Sequence, residues 1–249
     1  MTFYEFGELN EKTLLFLHGG GLSWWNFREE AQLLQKEYRV ILPVLDGHAG
    51  GDRPFTSIED NAAEIISFID GRFGGSVLLI GGLSLGGQIL LEMLSQRKDI
   101  CSFALVESAA AVPSVLTNRL IGPAFGSSYA LIGNRSFAKT QFRSLHIRPE
   151  LFEDYYRDTR AISKADMIAF MKATTAYSLK DTLSGARAGI RYYYGEKENR
   201  EIRRSADAIR RKLPGCSVRC IPGLRHGGFS LNRPAEYADA VREMIGTKF

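Results

Sequence analysis

A serine flanked by glycines follows a strongly apolar run near the middle of the chain. The run from Val77 to Gly81 contains four large aliphatic residues without polar alternation, which is typical of a central parallel strand covered on both faces. Gly82 and Gly86 lie two residues before and after Ser84, where side chains would collide across a sharp strand-to-helix turn. An ordinary glycine-rich turn would look similar. In this context, however, the pattern predicts that Ser84 presents its hydroxyl as a nucleophile.

A serine hydroxyl is a weak nucleophile until a base accepts its proton, and a histidine base needs a carboxylate to fix its tautomer. His226 follows the strand-like run that ends at Ile221, so it is the candidate base. Glu198 follows the run that ends at Gly195 and is the preferred acid. Glu107, at the end of an earlier strand, is the alternative acid. The chain order serine, acid, histidine favours nucleophilic catalysis.

The other three histidines have structural interpretations. His18 precedes three glycines and is expected to brace that loop, and His48 is expected to brace its own turn. His146 lies in a helical region remote from the predicted strand ends. These positions leave His226 as the histidine best placed to act as a base.

The elements that must position these residues alternate along the chain. Five apolar segments predict strands, and they begin at Thr13, Arg39, Val77, Cys101 and Ile190. Helical periodicity separates most of them, and a further strand and helix follow from Val218 and Pro234. Such alternation predicts a doubly wound, mostly parallel α/β sheet. Ligands bind such sheets outside the carboxyl ends of the strands, where each candidate residue falls.

One segment interrupts the alternation. Residues 113–188 show helical patterns with aromatic faces and are predicted to form an inserted helical lid, whereas residues 1–112 and 189–249 form the core. The segment carries eleven basic and six acidic side chains. Its charge suggests a substrate that bears negative charge away from the reacting group.

Composition limits the class of protein. The chain has 249 residues, 45% hydrophobic and 24% charged, with a net charge of +4, which suits one globular α/β domain with an insertion. Basic residues are scattered, so a nucleic-acid partner is not expected. No apolar run reaches the roughly 20 residues that span a bilayer, and the first ten residues lack a signal-peptide pattern. We therefore expect a cytoplasmic protein without membrane association. The oligomeric state is open.

Together these motifs resemble those of the α/β-hydrolase fold family, of the capped, single-domain serine esterase type. His18-Gly19-Gly20-Gly21 resembles its oxyanion loop and Gly82-Leu83-Ser84-Leu85-Gly86 its nucleophile elbow. Gly195-Glu196-Lys197-Glu198 resembles the acid turn, and Gly223-Leu224-Arg225-His226-Gly227-Gly228 the histidine loop. The resemblance covers nearly the whole chain, with room for one strand before Thr13.

The resemblance implies hydrolysis of a carboxylic ester or similar small acyl compound through an acyl-enzyme. Ser84, His226 and Glu198 would form the triad, and the N–H groups of Gly20 and Leu85 the oxyanion hole. No metal or organic cofactor is required. Thioester, lactone or carbon–carbon bond hydrolysis, and ligand binding without catalysis, are the alternatives.

Two adjacent tryptophans follow the predicted oxyanion loop. Trp24 and Trp25 are equally compatible with lining the acyl pocket and with packing the first helix.

Overall fold

The computed structural model describes residues 1–246, without the side chains of residues 125–128. A seven-stranded sheet with the order β1-β3-β2-β4-β5-β6-β7 forms its centre. The strands are β1 Thr2–Phe6, β2 Thr13–Leu17, β3 Arg39–Val44, β4 Val77–Leu83, β5 Cys101–Glu107, β6 Gly189–Gly195 and β7 Ser217–Ile221. Strand β1 pairs antiparallel with β3, and the other neighbouring pairs are parallel. The predicted mostly parallel α/β sheet is confirmed.

Helices cover both faces of the sheet. They are α1 Arg28–Leu34, α2 Ile58–Phe73, α3 Leu85–Gln96, α4 Val115–Ser128, α5 Arg135–Ser144, α6 Phe152–Thr159, α7 Lys164–Ala176, α8 Arg200–Lys212, α9 Gly228–Asn232 and α10 Pro234–Gly246. Strand β2 shows why the fold is doubly wound. Leu15 and Leu17 belong to the core that contains residues of α2, α3 and α8, whereas Leu14 and Phe16 belong to the core that contains residues of α1 and α10. Successive side chains of a strand point to opposite faces of the sheet, so an uninterrupted apolar run contributes to the core on each face.

The predicted strands lie where the sequence placed them, with ends that differ by at most two residues. Short helix α9, directly after the histidine loop, was not predicted, because five residues are too few to show helical periodicity. Within residues 1–246, we find no helix that combines the length and the apolar character needed to cross a bilayer.

The segment between β5 and β6 is helical and comprises α4 to α7. It packs on the core through α7, since the Gln88 side-chain amide on α3 donates a hydrogen bond to the Thr174 carbonyl at 2.9 Å. Within the segment, the Asn118 amide on α4 donates to the Lys172 carbonyl on α7 at 2.7 Å. The division into a core and a lid at residues 112 and 188 stays a prediction.

Candidate active site

The serine lies at the sharp turn between β4 and α3. Ser84 has φ +52° and ψ −110°, a strained conformation for a residue with a side chain, and its N–H donates to the Glu107 carbonyl at 2.8 Å. A Cβ on Gly82 would overlap the Gly86 carbonyl, and a Cβ on Gly86 would overlap the Leu17 carbonyl. Both glycines are therefore required for the turn that exposes the Ser84 hydroxyl.

Three side chains that are remote in sequence form a continuous hydrogen-bonded chain. The Ser84 Oγ lies 3.0 Å from His226 Nε2, and His226 Nδ1 lies 2.8 Å from Glu198 Oε2. The His226 side chain is 52% exposed, whereas the Glu198 side chain is fully buried. Because an ionised Glu198 only accepts hydrogen bonds, Nδ1–H donates to it and Nε2 is left to accept the serine proton.

The Glu198 carboxylate is held from several sides. Its Oε1 accepts hydrogen bonds from the Ser108 hydroxyl at 2.6 Å and from the Gly195 N–H at 2.8 Å. Burial by itself raises the pKa of Glu198, but the hydrogen bond and charge of His226, with the bonds from Ser108 and Gly195, leave that pKa below its ordinary value. The carboxylate is therefore ionised beside the histidine.

The contact with Glu198 raises the pKa of His226, whereas it lowers the pKa of Glu198. Burial lowers its pKa, but the hydrogen bond and the negative charge of Glu198, together with the charge of Glu107, raise the pKa above its ordinary value. The ring is therefore a stronger base than an isolated imidazole, which suits a group that must accept a hydroxyl proton.

Glu107, the alternative acid, is not hydrogen-bonded to the histidine. Its Oε1 accepts from the Phe229 N–H at 2.9 Å, and both oxygens accept from the Ser230 N–H at 3.3 and 3.2 Å. Burial raises the pKa of Glu107 to about 7, although these bonds oppose the shift. The geometry therefore makes Glu107 a buried anchor for helix α9, which follows the histidine loop.

Ser108 was not among the predicted site residues. It has φ +53°, and besides bonding Glu198 it donates its N–H to the Tyr193 carbonyl at 2.9 Å. The available signal was its position, directly after strand β5 at the sheet edge that holds the other candidates.

The two predicted oxyanion donors are close together. A Cβ placed on Gly20 would lie 3.7 Å from the Leu85 Cβ. Among the hydrogen bonds of the described residues, neither the Gly20 N–H nor the Leu85 N–H donates to another group. Leu85 is the first residue of α3, where N–H groups lack partners within the helix.

Two buried histidines support the glycine loop. His18 Nδ1–H donates to the Gly19 carbonyl at 2.9 Å, while its Nε2 accepts the Leu45 N–H at 3.1 Å. His48 Nε2 accepts the Gly21 N–H at 3.0 Å, so this residue reaches beyond its own turn to the loop. Burial lowers the pKa of His18 and brings that of His48 to about 4, which keeps both rings neutral and able to accept.

A cavity of about 260 Å³ opens beside Ser84. Its walls come from the glycine loop, the elbow, the acid and histidine turns and the insertion, which contributes Ser144, Leu145 and Ile147. Neither Trp24 nor Trp25 is among the described lining residues. Trp25 is buried and donates its Nε1–H to Asp158 at 2.8 Å, and Trp24 stacks on Tyr4. Of the two interpretations that the sequence left open for these tryptophans, the contacts favour packing over lining of this cavity.

One carboxylate cluster elsewhere has the spacing of metal ligands. Oxygens of Asp46, Asp52 and Glu64 lie within 4.8 Å of one another. Arg53 pairs with Asp46 and Glu64, and the Met1 ammonium pairs with Asp52 and Glu64. Each of these carboxylates is thus already paired with a cationic group of the chain.

Comparison with known proteins identifies the family. Residues 14–240 match the model of the alpha/beta hydrolase family, so the chain belongs to that family, and the prediction of an α/β-hydrolase-fold enzyme is confirmed. No curated protein matches the sequence.

Several solved structures share the fold at low identity. An esterase from Exiguobacterium antarcticum is 18% identical with a TM-score of 0.82, and 98% of this chain and 95% of that chain are covered. A thermophilic esterase from Thermogutta terrifontis is 18% identical with a TM-score of 0.77, covering 97% of this chain and 91% of that one. A structure from a study of Nitrososphaera gargenis carboxylesterases is 17% identical with a TM-score of 0.77, and 97% of this chain and 92% of that chain are covered.

Proposed function

We propose that this protein is a serine hydrolase that cleaves a small carboxylic ester through an acyl-enzyme. The observation that carries the proposal is the chain of hydrogen bonds from Ser84 through His226 to Glu198. The esterases that share the fold agree with this choice of substrate class.

In the proposed mechanism, Ser84 Oγ attacks the ester carbonyl carbon while His226 Nε2 takes its proton. The carbonyl oxygen becomes negative and is stabilised by the N–H groups of Gly20 and Leu85, both of which lack another acceptor among the described residues. The alcohol then leaves with the proton from His226. Water then attacks the acyl carbonyl carbon while His226 takes its proton. His226 passes that proton to Ser84 Oγ, which releases the acid and restores the serine.

We further propose that residues 113–188 act as a lid over the cavity. Support comes from Ser144, Leu145 and Ile147 of this segment, which line the cavity together with Ser84. The volume of about 260 Å³ is near the lower end of ligand pockets, so we expect the highest kcat/KM with short acyl chains.

Chemical labelling and mutation test the proposal. A fluorophosphonate probe is expected to label Ser84, and Ser84→Ala is expected to lower kcat for p-nitrophenyl esters by about 10⁴-fold or more, because the nucleophile is lost. Ser95→Ala is the matched control, since Ser95 lies on α3 and its hydroxyl donates only to the Leu91 carbonyl. Unchanged turnover in Ser84→Ala, or a parent protein that binds esters without cleaving them, would refute the hydrolase assignment.

A further inference from the structure

Two cationic side chains lie at the cavity beside the serine. Lys197 directly precedes Glu198, Arg225 directly precedes His226, and both are exposed residues among those that line the cavity. Their turns are joined, because the Lys197 N–H donates to the Leu224 carbonyl at 2.8 Å. The structure therefore presents two positive charges from adjacent turns of the core.

These charges are not neutralised by neighbouring carboxylates. Among the ion pairs of the described residues, none involves Lys197 or Arg225. Glu198 is the acidic residue among the described lining groups, and its buried carboxylate is already bonded to His226, Ser108 and the Gly195 N–H. The described lining therefore carries two cationic side chains against one carboxylate, which is already bonded to His226 and the groups around it.

The rest of the lining is largely apolar. It includes Leu22, Leu83, Ile147 and Leu231, and the cavity volume of about 260 Å³ is small. Charge near low-dielectric walls acts more strongly than charge on an open surface. A ligand that fits here has a compact apolar body and one anionic group.

We propose that the ester cleaved at Ser84 carries a carboxylate, which Lys197 and Arg225 bind while the ester carbonyl lies at the serine. This inference rests on the proposed function and deepens it. The planar guanidinium matches a carboxylate with two parallel hydrogen bonds, and the lysine adds a mobile point charge.

The source of the charge differs from the sequence-based expectation. The sequence predicts that the basic residues of the insertion select an anionic substrate. None of the eleven basic residues of the insertion is among the described lining residues of the cavity, however. Several are instead paired, such as Arg148 with Glu29 and Lys180 with Glu59. Selection for an anion therefore belongs to the acid and histidine turns.

Matched substrates test the proposal. One pair is 4-acetoxybenzoate and its neutral methyl ester, with the charge on the alcohol side. The other is monoethyl adipate and ethyl hexanoate, with the charge on the acyl side. In at least one pair we expect kcat/KM of the parent to favour the anion, and Lys197→Gln combined with Arg225→Gln to lower the anion-to-neutral ratio by about tenfold or more.

Because the anion-to-neutral ratio is compared between the double variant and the parent, differences in the intrinsic reactivity of the esters cancel. Lys212→Gln is the control, because Lys212 pairs with Asp181 and does not line this cavity, and its ratio should equal that of the parent. Raising the salt concentration from about 0.01 M to about 1 M should also lower the ratio in the parent, a readout that needs no variant.

The outcomes separate the two proposals. If the parent cleaves the neutral esters but the ratio is the same in parent and double variant and insensitive to salt, the carboxylate proposal is wrong and the hydrolase assignment stands. If the parent cleaves none of the four esters and Ser84 is not labelled by a fluorophosphonate, both are wrong.

Discussion

His226 and Glu198 each shift the other's proton affinity in the direction that the proposed mechanism requires. Burial opposes the charged form of both groups, yet their mutual hydrogen bond and attraction raise the pKa of the histidine and lower that of the glutamate. The contact measures 2.8 Å and joins a fully buried carboxylate to an imidazole that is about half exposed. The same pair that orients the ring therefore also sets its basicity.

This coupling predicts the pH dependence of hydrolysis. His226 accepts a proton only when neutral, so activity is lost as pH falls through its raised pKa. We expect the acidic limb of the kcat/KM profile to have its midpoint above about 6.5, the ordinary histidine value. Glu198→Gln should move the midpoint downward and lower kcat by about 10⁴-fold, because the ring loses its charged partner and its preferred tautomer.

Glu107→Gln is the control for that experiment. A glutamine oxygen still accepts from the Phe229 and Ser230 N–H groups, so kcat should stay within about tenfold of the parent. A loss near 10⁴-fold in Glu107→Gln, with little change in Glu198→Gln, would reverse the assignment of the acid.

At the scale of elements, the insertion is attached to the glycine loop and its neighbourhood. Trp25 Nε1–H donates to Asp158 on α6, the Thr159 hydroxyl donates to the Gly21 carbonyl at 3.3 Å, and a Cβ on Gly20 would touch the Phe170 ring at 3.4 Å. These contacts link α6 and α7 to the backbone that carries one proposed oxyanion donor. The docking of the insertion therefore affects the shape of the site.

Removal of the tryptophan donor should weaken that docking. Trp25→Phe loses a buried hydrogen bond to a carboxylate and leaves a space in the core, so we expect the free energy of unfolding to fall by about 2–4 kcal/mol in urea titrations. Trp24→Phe makes the same chemical change where the indole stacks on Tyr4 without a described N–H partner, and should cost less than about 1 kcal/mol.

A double-mutant cycle isolates the hydrogen bond from the cavity term. Trp25→Phe and Asp158→Ala should couple by about 1 kcal/mol, because each removes one partner of the same hydrogen bond. Strict additivity of the two changes would show that packing alone accounts for the loss.

For the whole molecule, burial of carboxyl groups makes stability depend on pH. Glu107 is 1% exposed with a pKa raised to about 7, and the nearby Glu30 is also buried, with its pKa raised by burial. Between the unfolded pKa near 4.5 and the folded pKa near 7, the unfolded chain releases the Glu107 proton while the folded protein retains it. Stability therefore falls as pH rises through this window.

The neutral isostere should remove that dependence. The free energy of unfolding of Glu107→Gln, relative to the parent, is expected to rise by about 3 kcal/mol between pH 4.5 and 7.5, measured by urea titration. Glu11→Gln, at an exposed position, is the control and should show no such trend. A stability difference between Glu107→Gln and the parent that does not change with pH would contradict the predicted titration of Glu107.

Much of the architecture was predictable because its signals are local in sequence. Uninterrupted aliphatic runs indicate strands covered on both faces, and the glycines around Ser84 indicate a turn too tight for side chains. Placing Glu198 and His226 after strands was enough to bring them near Ser84, since parallel strands end at one edge of the sheet.

Other features depend on which distant segments meet, and only the tertiary structure decides them. Glu107 follows a strand just as Glu198 does, but it is the packing of α9 that directs its oxygens to backbone N–H groups instead of to the histidine. Trp25 packs inward because Asp158, 133 residues away, accepts its N–H. The sequence by itself thus determined which segments form strands and which residues follow their carboxyl ends, whereas the order of the strands in the sheet and the individual contacts of those residues depend on long-range packing that no local pattern encodes.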